Sequence, residues 1–432
     1  MINSILNIIP RTLFSFLIFF AFNLQSEDQS DADSFFEREA PVYPTPDNLI
    51  GWIDSRQILT LNGEWSYIVD PMNNGLPESS FFGGFPKNKT QKTGMELIEY
   101  NFETAAKIQI PGAWNAADEK LFFYRGPVWL YKKFQYSPNK ESLTHLYIEG
   151  SNFTTRIFIN GSIVGKFEGG YVPFNFEISD HLKDGDNILL VQTDNTLNKS
   201  SVPTQKTDWW PWGGIVGDVY IVETPKQFIR NAYLQLNPEN FSEAYFNLEM
   251  NNKFAGKEIS LEIPELQYTN KFITNSSGAI TENIQITPQL WSPANPKLYE
   301  VIISSKNESI NDEIGFRSIK TQGQKIYLNN SEIRFKGIAM HSEPIGIDGP
   351  AFSQEHFKEL LSTAKELNIN FVRAAHYPYT RPLAKIADQF GLKLWEEVPV
   401  YWNIDWSNAE TLTIAKNQIS RLVQRDQNRA SV

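Results

Sequence analysis

The sequence predicts three folded units in succession: a β jelly-roll sandwich, a smaller immunoglobulin-like β-sandwich, and the opening of a parallel βα fold of the kind that closes into a (β/α)8 barrel. Three observations carry this. Residues 49–224 are short alternating strands separated by turn signals. Residues 225–315 continue as strands over a length near the roughly 100 residues of an immunoglobulin-like sandwich. From residue 316 the apolar period lengthens from two to the helical 3.6, and strands begin to alternate with helices.

In the first unit the signal is alternation. Leu146–Glu149, Arg156–Ile159 and Ile188–Val191 read as strands, and Asn160-Gly161 directly after one of them is a hairpin turn. Many short strands with few helical windows give a sandwich or jelly roll. In the second unit the strands expected are 228–236, 245–250, 259–263, 283–286 and 299–304; the Cys pair of antibody domains is missing. In the third, 333–340 reads as a strand. Behind Ser353 as cap, Phe357, Leu360, Leu361, Ala364 and Leu367 recur on one helical face. Next come a strand at 369–373, a helix at 383–390 opened by Pro382 and closed by Gly391, and a strand at 392–396. A last helix after Ser407 carries Leu412, Ala415, Ile419 and Leu422 on one face. Three successive βα units make the start of a parallel sheet.

Ahead of these units, Arg11 precedes the apolar run 13–22, broken only by Ser15, and polar residues follow. That order reads as a secretory signal peptide, assigned to 1–26, with an uncleaved anchor as the alternative; the run is short for a membrane span of about 20 residues. Export to the periplasm or beyond is therefore expected, with no membrane association after cleavage. Residues 27–48, acidic and containing Pro41, Pro44 and Pro46, read as a linker.

Composition narrows the function. Lys and Arg number 39 against 50 Asp and Glu, a formal charge of −11. That balance argues against a nucleic-acid backbone as partner, which needs a basic surface. Cysteine is absent, which removes disulfides, thiolate metal sites and thiol catalysis. Aromatic residues make up 13% of the chain, suited to sheet cores and to stacking on sugar rings.

In a βα barrel the chemistry sits where strands end at their C-terminal side. The first strand ends in His341-Ser342-Glu343, the second in Arg373-Ala374-Ala375-His376-Tyr377-Pro378, the third in Trp395-Glu396-Glu397 followed by Tyr401-Trp402. Each has a plainer reading. A histidine at a strand end is as often a hydrogen-bonded structural residue, and Arg373 reads equally as an ion-pair partner. Glu396 and Glu397 are neighbours, so in a strand they face opposite ways; Glu396 shares a face with Leu392 and Leu394, which leaves Glu397 turned into the barrel with Lys393 and Trp395. His341 and Glu343 are too few ligands for a metal site. No cofactor is called for.

These residues together resemble glycoside hydrolase family 2, the family of β-galactosidases, β-glucuronidases and β-mannosidases. Four stretches fall in the family's order: Leu61-Asn62-Gly63-Glu64-Trp65; Asp208-Trp209-Trp210-Pro211-Trp212-Gly213-Gly214-Ile215 running to Asp218-Val219; Leu290-Trp291-Ser292-Pro293 with Pro296-Lys297-Leu298-Tyr299 and Gly315-Phe316-Arg317; and Lys336-Gly337 through His341, 370–378 and 395–399. The resemblance implies a sugar-binding jelly roll (49–224), an immunoglobulin-like sandwich (225–315) and the N-terminal part of a TIM barrel (316–432). It implies a retaining β-glycosidase, with Asp208, His341, His376 and Glu397 on the substrate side. Glu396 departs from the family's Asp at its position, and Glu343 matches only with Ser342 inserted. Both catalytic glutamates of the family are expected beyond Val432, so the chain itself is expected to lack turnover. The implied partner is a β-linked oligosaccharide or glycoside, with homo-oligomerisation of a full-length parent open. The Tyr-Pro after His376 and the stretch from Glu397 to Trp402 resemble the β-glucuronidase-like branch. The competing expectation is a non-catalytic carbohydrate-binding protein with a degenerate barrel tail.

Overall fold

Alternation of buried and solvent-facing side chains builds the two β units. In the strand Glu243–Met250, for example, Ala244, Phe246, Leu248 and Met250 are buried while the residues between them are not. Each such large apolar side chain withdrawn from water contributes about 1.5–3 kcal/mol. The computed structural model describes residues 41–79, 84–87, 101–346 and 348–432. The segment assigned to a signal peptide and the start of the linker lie outside the described residues.

The first unit is a sandwich of two antiparallel sheets. One has six strands in the order Ala106–Ile110, Gly63–Val69, Pro127–Tyr136, Gly185–Asp194, Thr154–Ile159 and Ser162–Glu168; the other has four, Gln57–Thr60, Val219–Pro225, Ser142–Ile148 and Phe174–Glu177. Trp65, Leu130, Ile157, Val191, Ile148 and Ile221 fill the space between them. Part of the expected linker is not free. Lys166 N donates to Pro44 O (2.9 Å), Asp47 N donates to Asn175 O (3.0 Å), and the Tyr43 ring meets Phe158 edge-on. Residues 43–47 thus lie against the sandwich.

The second unit pairs a three-stranded sheet (Ile229–Leu236, Glu243–Met250, Ala279–Gln285) with a four-stranded one (Tyr268–Ile273, Glu258–Ile263, Tyr299–Ser304, Ser309–Ile314). Sequence reading missed Tyr268–Ile273 and Ser309–Ile314. Both carry several solvent-facing polar residues, which weakens the apolar alternation on which the reading rests.

The third unit holds a three-stranded parallel sheet, β1 (Gly337–Met340), β2 (Phe371–Ala374) and β3 (Lys393–Glu396), with helices α1 (Gln354–Glu366), α2 (Pro382–Phe390) and α3 (Ala409–Asp426). The strand expected over 333–340 is split. Ser331–Ile333 closes a separate antiparallel sheet, and β1 starts only at Gly337. Asn370 explains the break: its side chain accepts from Lys336 N (2.8 Å) and donates to Arg334 O (3.0 Å), taking up the backbone groups a longer strand would use.

Helix signals held at the caps and slipped on one face. Ser353 accepts from His356 N at 3.2 Å, and Gly391 ends α2 in the left-handed conformation (φ 68°). On α1, Leu367 is the C-cap and is 63% exposed rather than packed. On α3, which begins after Ser407 as expected, the cap is Asn408, and the buried face is Thr411, Ile414, Ala415, Gln418 and Leu422, leaving Leu412 and Ile419 exposed. The cause is a polar docking surface. Gln418 Nε2 donates to Val202 O (2.6 Å) and Asn408 Nδ2 to Ser200 Oγ (2.9 Å), both on the jelly roll.

These contacts fix the third unit against the other two. Leu422 of α3 enters the jelly-roll core, and Phe153, Leu197 and Val202 pack on Ile414 and Ala415. Buried Trp291 of the second unit donates from Nε1 to Asp388 O of α2 at 2.8 Å. After α3, Leu394 N donates to Ser431 O (2.9 Å), so residues 430–432 run beside β3. Lys393 does share a face with Trp395, but it is buried: its ammonium donates to Ala430 O (2.9 Å), and burial pushes it down to about 6.

Candidate functional site

The loop 208–213 leaves the jelly roll and meets the C-terminal ends of the parallel strands. Its course is fixed by buried amides. Asn195 Nδ2 donates to Pro211 O (3.0 Å), Asn152 Nδ2 to Trp212 O (2.8 Å), and Asn115 Oδ1 accepts from Gly213 N (2.8 Å). Residue 213 has to be glycine, since a Cβ there would sit 2.1 Å from Cζ2 of fully buried Trp114. A rigid loop of this kind presents its side chains without further ordering cost.

Asp208 is at its start. Its Oδ2 accepts from the Tyr401 hydroxyl at 2.6 Å, and that bond to a carboxylate raises the pKa of the phenol. Trp209, beside it, stacks on the His376 ring (5.3 Å between centroids) and meets Tyr401 edge-on (4.9 Å). The His376 ring is in turn 5.6 Å from that of His341 and 4.6 Å from that of Tyr401. Asp208 from the first unit and both histidines from the third therefore line one rim.

Glu397 joins them through charge. Arg373 on β2 grips it with Nε on Oε1 and Nη2 on Oε2 (3.1 Å), and His376 Nδ1 lies 3.4 Å from Oε2. The bond to Glu397 raises the Arg373 pKa. The ion-pair reading of Arg373 is thus what the structure shows, although the guanidinium side chain is 44% exposed rather than buried. Glu396 turns the other way, as its place in the strand predicts. It is buried beside Arg425 (3.4 Å), and burial holds its carboxyl well above the usual range.

Glu343 also reaches this region, inserted Ser342 notwithstanding. Trp212 Nε1 donates to its Oε1 at 3.2 Å, bridging the jelly-roll loop and the end of β1. The four residues singled out from sequence, Asp208, His341, His376 and Glu397, come together through Tyr401, Trp209 and Arg373. Trp209, Trp212 and Tyr401 were visible only as members of aromatic runs. Nothing in a single sequence tells which ring of Trp209-Trp210-Pro211-Trp212 faces a histidine.

Chemically the rim offers carboxylates that can accept hydrogen bonds from hydroxyl groups. Among the described residues no group of three or more His, Asp or Glu side chains could hold a metal ion. A cleft of about 1130 Å³ lies at a different junction, between the jelly roll and the second unit. Its lining of Lys226, Lys257, Ser304, Asn307 and neighbours includes no histidine and no aromatic ring. No described helix is long and apolar enough to cross a membrane.

Comparison with known proteins bears on this geometry. Residues 58–225 match the description "Glycosyl hydrolases family 2, sugar binding domain", residues 227–317 "Glycosyl hydrolases family 2", and residues 319–432 "Glycosyl hydrolases family 2, TIM barrel domain". A putative β-glucuronidase of Formosa agariphila is 29% identical over 360 residues, 78% of this chain and 43% of that protein. A β-galactosidase of Thermoanaerobacter pseudethanolicus is 25% identical over 400 residues, 86% of this chain and 50% of that protein. The chain thus spans about half the length of the curated relatives it matches. Among solved structures, a β-glucuronidase of an uncultured Clostridium superposes with a TM-score of 0.72 at 22% identity, over 91% of this chain and 68% of that one. A Bifidobacterium dentium β-glucuronidase complexed with coumarin-3-O-glucuronide gives 0.76 at 17% identity, over 91% and 68%.

Proposed function

The chain belongs to glycosyl hydrolase family 2, and from that premise we propose that the protein is a retaining β-glycosidase acting on β-glucuronides or β-galactosides, with residues 1–432 supplying the sugar-holding side of its site. The observation that carries this is the rim on which Asp208 of the jelly roll meets His341, His376 and Glu397 of the barrel strands. Retaining hydrolysis needs one carboxyl to protonate the leaving oxygen and a second, about 5–5.5 Å away, to attack the anomeric carbon. The two adjacent glutamates at the end of β3 do not suit those roles, because Glu397 is held by Arg373 and Glu396 is buried facing Arg425. In this reading they position the sugar and the frame, and the reacting pair, as the family resemblance implies, is not among residues 1–432. The leaning toward glucuronides rests on the stretch from Glu397 to Trp402 and on the relative in Formosa agariphila. The basic, then apolar, start of the chain supports export.

The test is turnover. Purified 1–432 incubated with 4-nitrophenyl β-D-glucuronide and β-D-galactoside is expected to release no nitrophenol above a buffer control. Hydrolysis abolished by a single substitution within 1–432 would overturn this assignment of roles.

A further inference from the structure

Beside the site an aromatic surface is left open to solvent. Phe123 is 82% exposed and Phe122 40% exposed, consecutive residues of one loop. Their rings meet edge-on at 4.9 Å, and Trp210 lies 4.3 Å from Phe122 and 5.5 Å from Phe123. Exposed phenylalanines side by side are costly on a soluble surface unless something covers them.

The loop is built to hold that shape. Asp118 accepts from Lys120 N (2.9 Å) to start a short 3-10 turn at Glu119–Leu121. The buried Asn115 amide then donates to three backbone carbonyls of the loop, Leu121 O (2.9 Å), Phe122 O (3.1 Å) and Tyr124 O (3.0 Å). Its oxygen accepts from Gly213 N, so one side chain ties the phenylalanine loop to the loop that carries Asp208 and Trp210. From Trp210 the aromatic surface continues to Trp212 (6.3 Å), whose indole N–H holds Glu343 at the end of β1.

We propose that Phe122, Phe123 and Trp210 form a stacking platform for the leaving-group sugar of a β-linked oligosaccharide whose terminal residue sits against Asp208 and His376. The inference rests on the function proposed above and names the substrate class of the same site. Three points select a sugar over another occupant. Trp210 of the platform shares a loop with Asp208, and Asn115 ties the phenylalanine loop to it, so a ligand seated at one is presented to the other. The rings offer flat apolar faces of the kind that match the C–H face of a pyranose. The flanking Glu119, Lys120 and Arg125 are exposed and supply hydrogen-bonding groups at the rim. The clamp by Asn115 means the surface is ordered before the sugar arrives, which lowers the cost of binding.

The test compares two ligands on the chain 1–432 by isothermal titration: a methyl β-glycoside, and a β-linked trisaccharide ending in the same sugar, glucuronate or galactose. The wild type is expected to favour the trisaccharide by about tenfold, within the range of an aromatic stacking contact. Phe123→Ala and Phe122→Ala are each expected to bring that ratio toward one, whereas Asp208→Asn weakens both ligands alike. A ratio that neither phenylalanine variant changes, with the methyl glycoside still bound, would overturn this inference alone. Binding of neither ligand by the wild type would overturn it together with the underlying function. A wild-type dimer that Phe123→Ala dissociates in sedimentation would assign the patch to self-association instead.

Discussion

Replacing Arg381 by methionine tests how the barrel strands are held against the jelly roll. Glu149 is fully buried at the end of a jelly-roll strand, and Arg381, at the start of α2, is the cation beside it: the backbone N–H donates to Oε1 (2.5 Å) and the guanidinium Nε lies 3.8 Å away. Arg381 Nη1 also reaches Asp54 at 2.8 Å. Burial opposes the charge on Arg381, but Glu149 and Asp54 outweigh it and its pKa is raised; burial raises that of Glu149 as well, with Arg381 offsetting only part. Removing one partner of such a pair leaves the other buried and uncompensated, at a cost of about 3–5 kcal/mol. A carboxyl with a folded pKa above its unfolded value contributes stability at low pH that is lost as pH rises. In R381M Glu149 has less to stabilise its charge, so the penalty is expected to be larger at pH 7.5 than at pH 5. The assay is urea unfolding of the wild type, R381M, E149Q and the double variant at both pH values. The double variant removes the buried carboxylate and leaves Asp54 paired with Lys385, and is expected to recover most of the loss. A loss below about 1 kcal/mol at pH 7.5, or a double variant no better than R381M, would refute this account of the junction.

Two further predictions concern single side chains. His145 is buried, with Nε2 at 2.9 Å from Thr224 Oγ1, and burial, with Arg56 nearby, pushes it down to about 4. The unfolded chain therefore binds a proton that the folded one does not between about pH 6.5 and 4, so stability is full above that window and falls by up to about 3 kcal/mol across it; His145→Gln should flatten this part of the urea-midpoint profile, and an unchanged slope would count against it. Tyr401→Phe removes the hydroxyl that fixes Asp208, and is expected to weaken methyl glycoside binding roughly three- to tenfold in titration calorimetry with the melting temperature unchanged. Unaltered affinity would mean that Asp208 is oriented without Tyr401.

What could be read in the sequence follows from where the signals are local. Ser353 and Gly391 act within one turn of their own helix, and their chemistry was legible. So was the divergence of Glu396 and Glu397, because period-two geometry needs no partner. The face of α3 was not. Gln418 is buried for the carbonyl of Val202, more than two hundred residues away in sequence, and an apolar stripe cannot report that. The broken strand at 334–336 had the same cause, a side chain of Asn370 competing from just ahead of β2. For the site, residue types at strand ends brought out His341, His376 and Glu397, and family resemblance added Asp208. The rings that connect them belong to runs of tryptophan and tyrosine in which spacing alone does not distinguish core from contact.

The proposed sugar site lies where the jelly-roll loop meets the barrel strands. It is tested most directly by titrating the chain with methyl β-D-glucuronide and methyl β-D-galactoside while observing ligand signals by saturation-transfer NMR, for the wild type, Asp208→Ala and His376→Ala. Saturable binding of at least one glycoside by the wild type is expected, weakened tenfold or more by either substitution, roughly the effect of losing one strong hydrogen bond. Saturable binding that survives both substitutions, or none in the wild type at millimolar ligand, would contradict it.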